Sequence, residues 1–385
     1  MNQKYLVKNL SDLIEYETKR NIKKHIPYVG LEDIQSNSGT FLGSKEPKEV
    51  KSTTYSFSPD HILYGRLRPY LNKVFLPDFE GHCSTEIIPI KTKNNINKKF
   101  FYYWITSNSI VETINRTCTG ARMPRANLDR ILDLSFPLPP LTEQQRIVDI
   151  LDQSFAAIDQ AIENIYVNIK YVQESYSNYL KQTLKYPIQN WRHSTIGEVC
   201  EIRSGTTLDP KTEKPHGEFP YLKVADLNLP ENLKIITTSS RFINKSDINL
   251  KNLIPKGSIV FPKRGGAIFT NKKRITAKEI WMDLNLMAVT PKDEIIPLFL
   301  YYFFQNLDFR SFNKGSSVPQ LNNYDILPLI IFFPKDKYEQ EKIVNKLELY
   351  ENYSKNLELL YEKKISLLQE LKQSILNKAF NGDLS

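Results

Sequence analysis

Ten residues between Val148 and Tyr179 recur alternately three and four positions apart: Val148, Leu151, Phe155, Ile158, Ile162, Ile165, Ile169, Val172, Tyr176 and Tyr179. This is the narrow seam of a coiled coil rather than the broader stripe by which a helix docks on a globular core. It demands a long helix and a second helix to cover it. The start of the helix is written in FPLPPLTEQQ, from Phe136 to Gln145. Pro139-Pro140 cannot continue a helix from upstream. Thr142 is a good N-cap, and Gln145 three residues on completes a capping box. Glu143 suits the positive end of the helix dipole, Lys181 and Lys185 suit the negative end, and Pro187 closes the helix. At ~1.5 Å per residue the helix is a rod of roughly 65 Å.

The partner is found by asking whether the chain repeats. Glu143-Gln144 and Ile147-Val148 recur as Glu339-Gln340 and Ile343-Val344, and Leu151 recurs as Leu347. Upstream, Gly120-x3-Pro124-x2-Asn127 recurs as Gly315-x3-Pro319-x2-Asn322, and each is followed by an apolar segment ending in Phe-Pro. Tyr102-Tyr103 matches Tyr301-Tyr302, and PYVGLEDI (from Pro27) resembles PYLKVADL (from Pro220). The predicted layout is block, helix, block, helix: 1–141, 142–186, 187–335 and 336–385. The second helix starts near Asp336 and stops at Asn381-Gly382. Its seam is weaker. Leu347, Tyr361, Leu368 and Ile375 keep a seven-residue row interrupted by Ser354, flanked by Tyr350, Leu357 and Leu371 interrupted by Lys364. The two helices are expected to pair antiparallel about a pseudo-two-fold axis; the alternative is that each packs on its own block.

Within the blocks, short apolar runs alternate with turn signals, an α/β or α+β texture. Strands are expected at His61–Tyr64, Glu86–Ile90, Tyr221–Val224 and Ser258–Phe261, and a helix from Phe100. With 41% hydrophobic residues the chain can bury real cores. Cys83, Cys118 and Cys200 are scattered, which argues against a disulfide framework or a structural zinc. No signal-peptide core and no membrane-length apolar run is present, so a cytoplasmic protein is expected.

The net charge of +9 is unevenly spread. Each block carries 20 Lys/Arg against 14 Asp/Glu, while 142–186 and 336–385 are slightly acidic. Two basic blocks suggest two polyanion contacts. In the first, Arg66, Arg68 and Lys73 surround Gly65 and Pro69, and Arg122 and Arg125 lie beside Gly120. In the second, Lys263, Arg264, Lys272, Lys273 and Arg274 flank Gly265-Gly266, and the stretch matching Arg122–Arg125 carries Ser316, Ser317 and Gln320. Arginine forks suit guanine edges and phosphates. Equivalent loops with different side chains fit two readers of different sequences; the alternative is a solvated basic hairpin in each case. Catalytic signatures are missing: no Gly-Lys of a Walker loop, no Asn/Asp-Pro-Pro-Tyr/Phe of amino-methyltransferases, no H-E-x-x-H and no G-x-S-x-G.

PLPPLTEQQRIVDILD, preceded by TGARMPRANLDRILDL, resembles the specificity subunit of type I restriction–modification systems, as do IGEVCEIRSGTTL (from Ile196) and the tail KKISLLQELKQSILNKAFNGDL (from Lys363). The resemblance covers nearly the whole chain. It implies that each block is a target-recognition domain reading one half of a split site on double-stranded DNA, and that the helices fix the spacing. It further implies two docked modification subunits that use S-adenosylmethionine, room for two restriction subunits that use ATP and Mg2+, and no cofactor or metal held by this chain. The chain departs from the pattern where Lys335-Asp336-Lys337-Tyr338 replaces the proline-rich junction, and where the first block lacks the Trp and Gly that open the second. The competing readings are a stand-alone methyltransferase or nuclease with cryptic motifs and a coiled-coil adaptor that does not touch DNA.

Overall fold

The computed structural model describes residues 5–17, 20–21, 25–118, 120, 122–185, 191–312 and 319–384. They form two compact units, 1–166 with 361–385 and 167–360. The division falls inside both long helices, so each unit holds one block with a segment of each helix.

In the first unit, strands Ile14–Tyr16, Ile87–Thr92, His61–Gly65 and Val74–Phe75 form an antiparallel sheet in that spatial order. A second sheet runs Arg20–Asn21, Thr54–Phe57, Gly81–Ser84, Tyr28–Val29, its last pair parallel. Leu6–Asn9 pairs with Ser135–Leu138 as a separate two-stranded clip. The second unit repeats the plan. Cys200–Ser204, Leu286–Pro291, Ile259–Pro262, Arg274–Thr276 and Ile235–Ile236 form one sheet. Phe242–Ile243, Phe219–Leu222 and Trp281–Met282 form the second, again with a parallel pair. Trp191–Thr195 pairs with Ile330–Pro334 as the clip. The clips are equivalent although the first block lacks the Trp and Gly, because strand pairing needs backbone groups rather than those side chains.

Each core lies between the first-named sheet of its unit and its helices. In the first unit Phe136, fully buried, meets the rings of Phe100, Phe101 and Trp104 at 5.8, 5.8 and 5.0 Å. Phe333, which carries the repeat's second Phe-Pro, is 1% exposed and belongs to the corresponding core of the second unit.

The long helices run Leu141–Lys185 and Lys337–Asn381. The first begins one residue before Thr142. The Pro140 carbonyl accepts from the amides of Glu143 and Gln144, both at 2.9 Å, so Thr142 lies within the first turn and is not the cap. Gln145 does not close a capping box either: its amide group donates to Asp149 at 2.7 Å and accepts from Asn97 at 2.7 Å. Pro187 lies outside the described residues. The second helix begins beside Asp336, as expected, and the Asp336 carboxylate accepts from the Tyr338 amide at 2.9 Å. Gly382, at φ +81°, ends that helix in the left-handed region, with the Asp383 amide returning to the Lys378 carbonyl at 2.9 Å.

The EQ pair of each junction acquires a physical meaning. Gln144 is fully buried: its oxygen accepts from the Asn97 amide at 2.8 Å, and its nitrogen donates to the carbonyls of Asn95 and Pro139 at 3.1 and 2.8 Å. Gln340, equally buried, accepts from the Ile296 amide at 2.9 Å and donates to Glu294 and Pro334, both at 2.8 Å. One side-chain amide thereby satisfies three backbone groups where helix, strand and loop meet, and an apolar replacement would orphan a buried donor. The junction survives the loss of the second proline-rich segment because the latch bonds backbone, not proline rings.

All ten seam residues of the first helix are buried or half-buried. Its ends do more than pair helices: Ile147, Val148 and Leu151 enter the first unit's core, and Leu180 and Leu184 enter the second's. Pairing and docking on the blocks thus coexist. In the first unit the helices run antiparallel, with Arg146 donating to the Leu384 carbonyl at 2.9 Å and Lys372 paired with Asp159. In the second, the Tyr179 and Tyr350 rings stack at 4.5 Å, and Ser175 bonds the Tyr350 hydroxyl at 2.7 Å.

The second helix corrects the expected seam. Leu347, Tyr361, Leu368 and Ile375 face inward and Leu357 is half-buried, but Leu371 is 46% exposed. Lys364 is exposed and interrupts nothing. The companion row is Val344, Glu351, Ile365, Lys372 and Ala379, together with half-buried Glu358. It escaped an apolar count because three of its members, Glu351, Glu358 and Lys372, are charged; Glu351 and Lys372 are ion-paired. Glu351, 8% exposed, accepts from Lys234, Lys355 and the Tyr302 hydroxyl at 3.0, 2.6 and 2.7 Å. Burial works to raise its carboxyl pKa, but these hydrogen bonds outweigh burial and hold it below the ordinary value. Ser354 lies 5% exposed in the seam, its hydroxyl without a hydrogen-bond partner among the described residues.

Candidate nucleic-acid interface

The two candidate stretches of each block, far apart in sequence, are joined in space. In the first unit Leu67 bridges Arg125; the Arg68 amide donates to the Pro124 carbonyl at 2.7 Å and the Ala126 amide to the Arg66 carbonyl at 2.9 Å. In the second, Arg264 bridges Gln320; the Gly265 amide donates to Pro319 at 2.8 Å and the Leu321 amide to Lys263 at 2.8 Å. Arg68 and Gly265 are equivalent and both take positive φ, +51° and +73°. Glycine adopts that conformation freely, whereas arginine there is strained and held by the bridge.

The candidate side chains separate by exposure. Arg68, Arg122, Arg264 and Gln320 are exposed; Arg66, Lys73, Arg125, Lys263, Lys272 and Arg274 are partly exposed. Ser316 and Ser317 lie outside the described residues. Lys73 donates to the Leu31 carbonyl at 2.6 Å, and Lys272 donates to Asn228. Burial and the neighbouring Arg264 lower the Lys263 pKa, and burial lowers that of Arg274.

Lys273 is corrected: it is fully buried and offers no surface to a polyanion. Its ammonium donates to the Asn271 side chain at 2.7 Å and the Leu307 carbonyl at 2.6 Å, and lies 4.4 Å from the Phe309 ring centre. Burial brings its pKa down to about 7, against a rise from Asp308 and with a further lowering from Arg310. Sheet register explains this. Tyr64 pairs with Val74 and Val260 with Arg274, which places Lys273 where the first unit has fully buried Val74.

One residue of the interface had no signal in the sequence. Glu86 sits just before strand Ile87–Thr92 and receives Arg125 through Nε at 2.9 and 3.1 Å and Nη2 at 2.7 Å. Arg66 Nε approaches the same carboxylate at 3.8 Å. The hydrogen bond from Arg125 to Glu86, with their charge attraction, raises the arginine's pKa. Among the described residues no group of three or more His, Cys, Asp or Glu could hold a metal ion, and no helix is long and apolar enough to cross a membrane.

Two copies of one α/β module, each anchored to both long helices and each presenting the same bridged loop pair with different side chains, define a duplicated recognition protein. The chain belongs to the type I restriction modification DNA specificity domain family, whose model matches residues 2–170 and 188–368. The type I restriction enzyme EcoDI specificity subunit of Escherichia coli is 30% identical over 147 residues, 37% of this chain and 33% of that relative's own length. The Escherichia coli EcoBI specificity subunit is 21% identical across 95% of this chain and 81% of its own. Among solved structures, a chain from work on complex assembly and conformational transition of the type I R-M system superposes with a TM-score of 0.82 at 21% identity, covering 99% of this chain and 98% of that one. The HsdS subunit from Thermoanaerobacter tengcongensis gives 0.64 at 20% identity, covering 100% and 98%.

Proposed function

We propose that this chain is the DNA-reading subunit of a type I restriction–modification complex, each block reading one half of a two-part site on double-stranded DNA. The observation that carries the proposal is the duplicated loop pair: one backbone bridge presents Arg66 and Arg125 in the first copy and Lys263 and Gln320 in the second, within domains of a DNA specificity family. Lysine and arginine contacts to phosphates give salt-sensitive affinity, while side chains on base edges give sequence choice. The paired helices set the distance between halves, which lie on one face of the duplex when separated by a multiple of ~34 Å.

In this reading the chain performs no chemistry itself. Two modification subunits, adenine methyltransferases using S-adenosylmethionine, dock on it, and two restriction subunits using ATP and Mg2+ join them in the cytoplasm. Docking is supported by apolar side chains that the C-terminal helix leaves exposed: Leu349, Tyr353 and Leu360 in one unit, Leu367 and Leu371 in the other. The test is to insert one helical turn into both long helices and sequence adenine methylation in a host carrying the chain with its methyltransferase. The spacer should change length while both half-sites persist. Unchanged spacing rejects the ruler, and the absence of any site-specific methylation rejects the assignment.

A further inference from the structure

The register of the two sheets aligns the loop pairs residue by residue. The Arg66 amide donates to the Glu86 carbonyl at 2.9 Å, and the Lys263 amide to the Asn285 carbonyl at 2.8 Å. Gly65 pairs with Ile87, and Pro262 with Leu286. Glu86 is therefore the counterpart of Asn285, Arg66 of Lys263 and, through the bridges, Arg125 of Gln320. At the same backbone positions one copy carries a carboxylate with an arginine, and the other carries two amides.

Arg125 and Glu86 are held in one geometry. The carboxylate takes Nε–H and one hydrogen of Nη2. The end of the guanidinium, Nη1 with the second Nη2 hydrogen, has no bond among the described residues and is partly exposed. Two parallel donors on a fixed plane match the two acceptors of a guanine in the major groove, O6 and N7. Gln320 is exposed and also braced, its nitrogen donating to the Asn322 side chain at 2.7 Å. That leaves one N–H and the amide oxygen, one donor and one acceptor, the complement of adenine N7 and N6.

We propose that Arg125, positioned by Glu86, reads a guanine in one half-site and that Gln320 reads an adenine, distinct from the methylated one, at the matching place in the other. The inference rests on the DNA-reading function proposed above. Swapping an arginine–carboxylate pair for amides changes the base preferred without changing the scaffold that presents it.

The experiment maps adenine methylation in a host carrying the methyltransferase with wild-type chain, Arg125→Lys, Glu86→Gln, Gln320→Ala, or the transplant Glu86→Asn with Arg125→Gln. Arg125→Lys keeps the charge but loses the fork. It should lower discrimination at one guanine by about ten- to a hundred-fold, leaving the other half-site unchanged. Glu86→Gln should relax the same position, and Gln320→Ala should relax an adenine in the other half. The transplant should move the first position from guanine toward adenine. If wild type methylates a two-part site and the Arg125 and Gln320 variants, still methylating, alter no base or alter both halves, the inference is overturned while the function stands. If wild type shows no two-part site, both fall. Salt-dependent binding of the purified complexes to their sites separates loss of reading from loss of folding: a folded Arg125→Lys complex retains the wild-type salt slope.

Discussion

Val74 and Lys273 occupy the same place in the two copies of one sheet, both without exposure, yet one is a hydrocarbon and the other an amine. The difference teaches that the repeat conserves backbone register more strictly than side-chain chemistry. The second copy tolerates lysine because Asn271 and the Leu307 carbonyl accept its hydrogens and burial lowers its proton affinity. The companion seam row shows the same contrast: the first helix fills its seam with hydrocarbon and aromatic side chains, while the second places Glu351 and Lys372 there and satisfies both with partners.

The most severe way to break this comparison is Val74→Lys. The first copy holds an acceptor equivalent to Asn271 in Asn72, whose buried Oδ1 has no partner among the described residues, but its core is packed around a valine; the longer, charged side chain should therefore cost about 3–5 kcal/mol through overpacking and desolvation. Trp104, the single tryptophan of the first unit, reports the loss in denaturant unfolding followed by fluorescence; a change under about 1 kcal/mol would show that the site accepts an amine as readily as its counterpart.

The two latches test whether the repeat is energetically as well as geometrically equal. Gln144→Ala and Gln340→Ala should each cost about 2 kcal/mol, through one orphaned buried amide and the lost bonds to two carbonyls. Each loss should fall on its own unit, read through Trp104 for the first and through Trp191 and Trp281 for the second. Unequal costs would locate a real asymmetry at the junction where the proline-rich segment is missing.

The smallest effect is a pH slope. Lys273 titrates near 7 when folded and near 10.5 when unfolded. Between those values the unfolded chain binds more protons, so this residue makes stability rise with pH across the window; below 7 both states are protonated, the slope vanishes and the full cost of the buried charge is reached. Wild type should therefore gain stability relative to Lys273→Met between pH 7 and 8, by no more than ~1.4 kcal/mol. Parallel pH profiles of the two proteins would show that the lysine is not desolvated.

Much of the fold was legible because it is periodic. The seam from Val148 to Tyr179 and the 196-residue recurrence of Leu151 as Leu347 are statements about spacing, and helical spacing is local. The block–helix alternation followed, and so did most of the inward row on the second helix. The candidate interface was legible only as composition. A run such as Lys272-Lys273-Arg274 looks uniformly basic, yet its middle residue points into the core because a strand alternates its faces.

By itself the sequence determined the duplication, the long paired helices and the family, since each is carried by repeated or regularly spaced residues. Only the tertiary structure decided that Leu67 meets Arg125, that Glu86 holds that arginine, and that charged Glu351 and Lys372 lie in a seam. The reason is physical. Spacing along one element fixes which side chains share a face, but which faces meet is set by strand register and helix pairing between residues distant in sequence. Such a partner can make a buried charge tolerable where local pattern alone would have placed it in water.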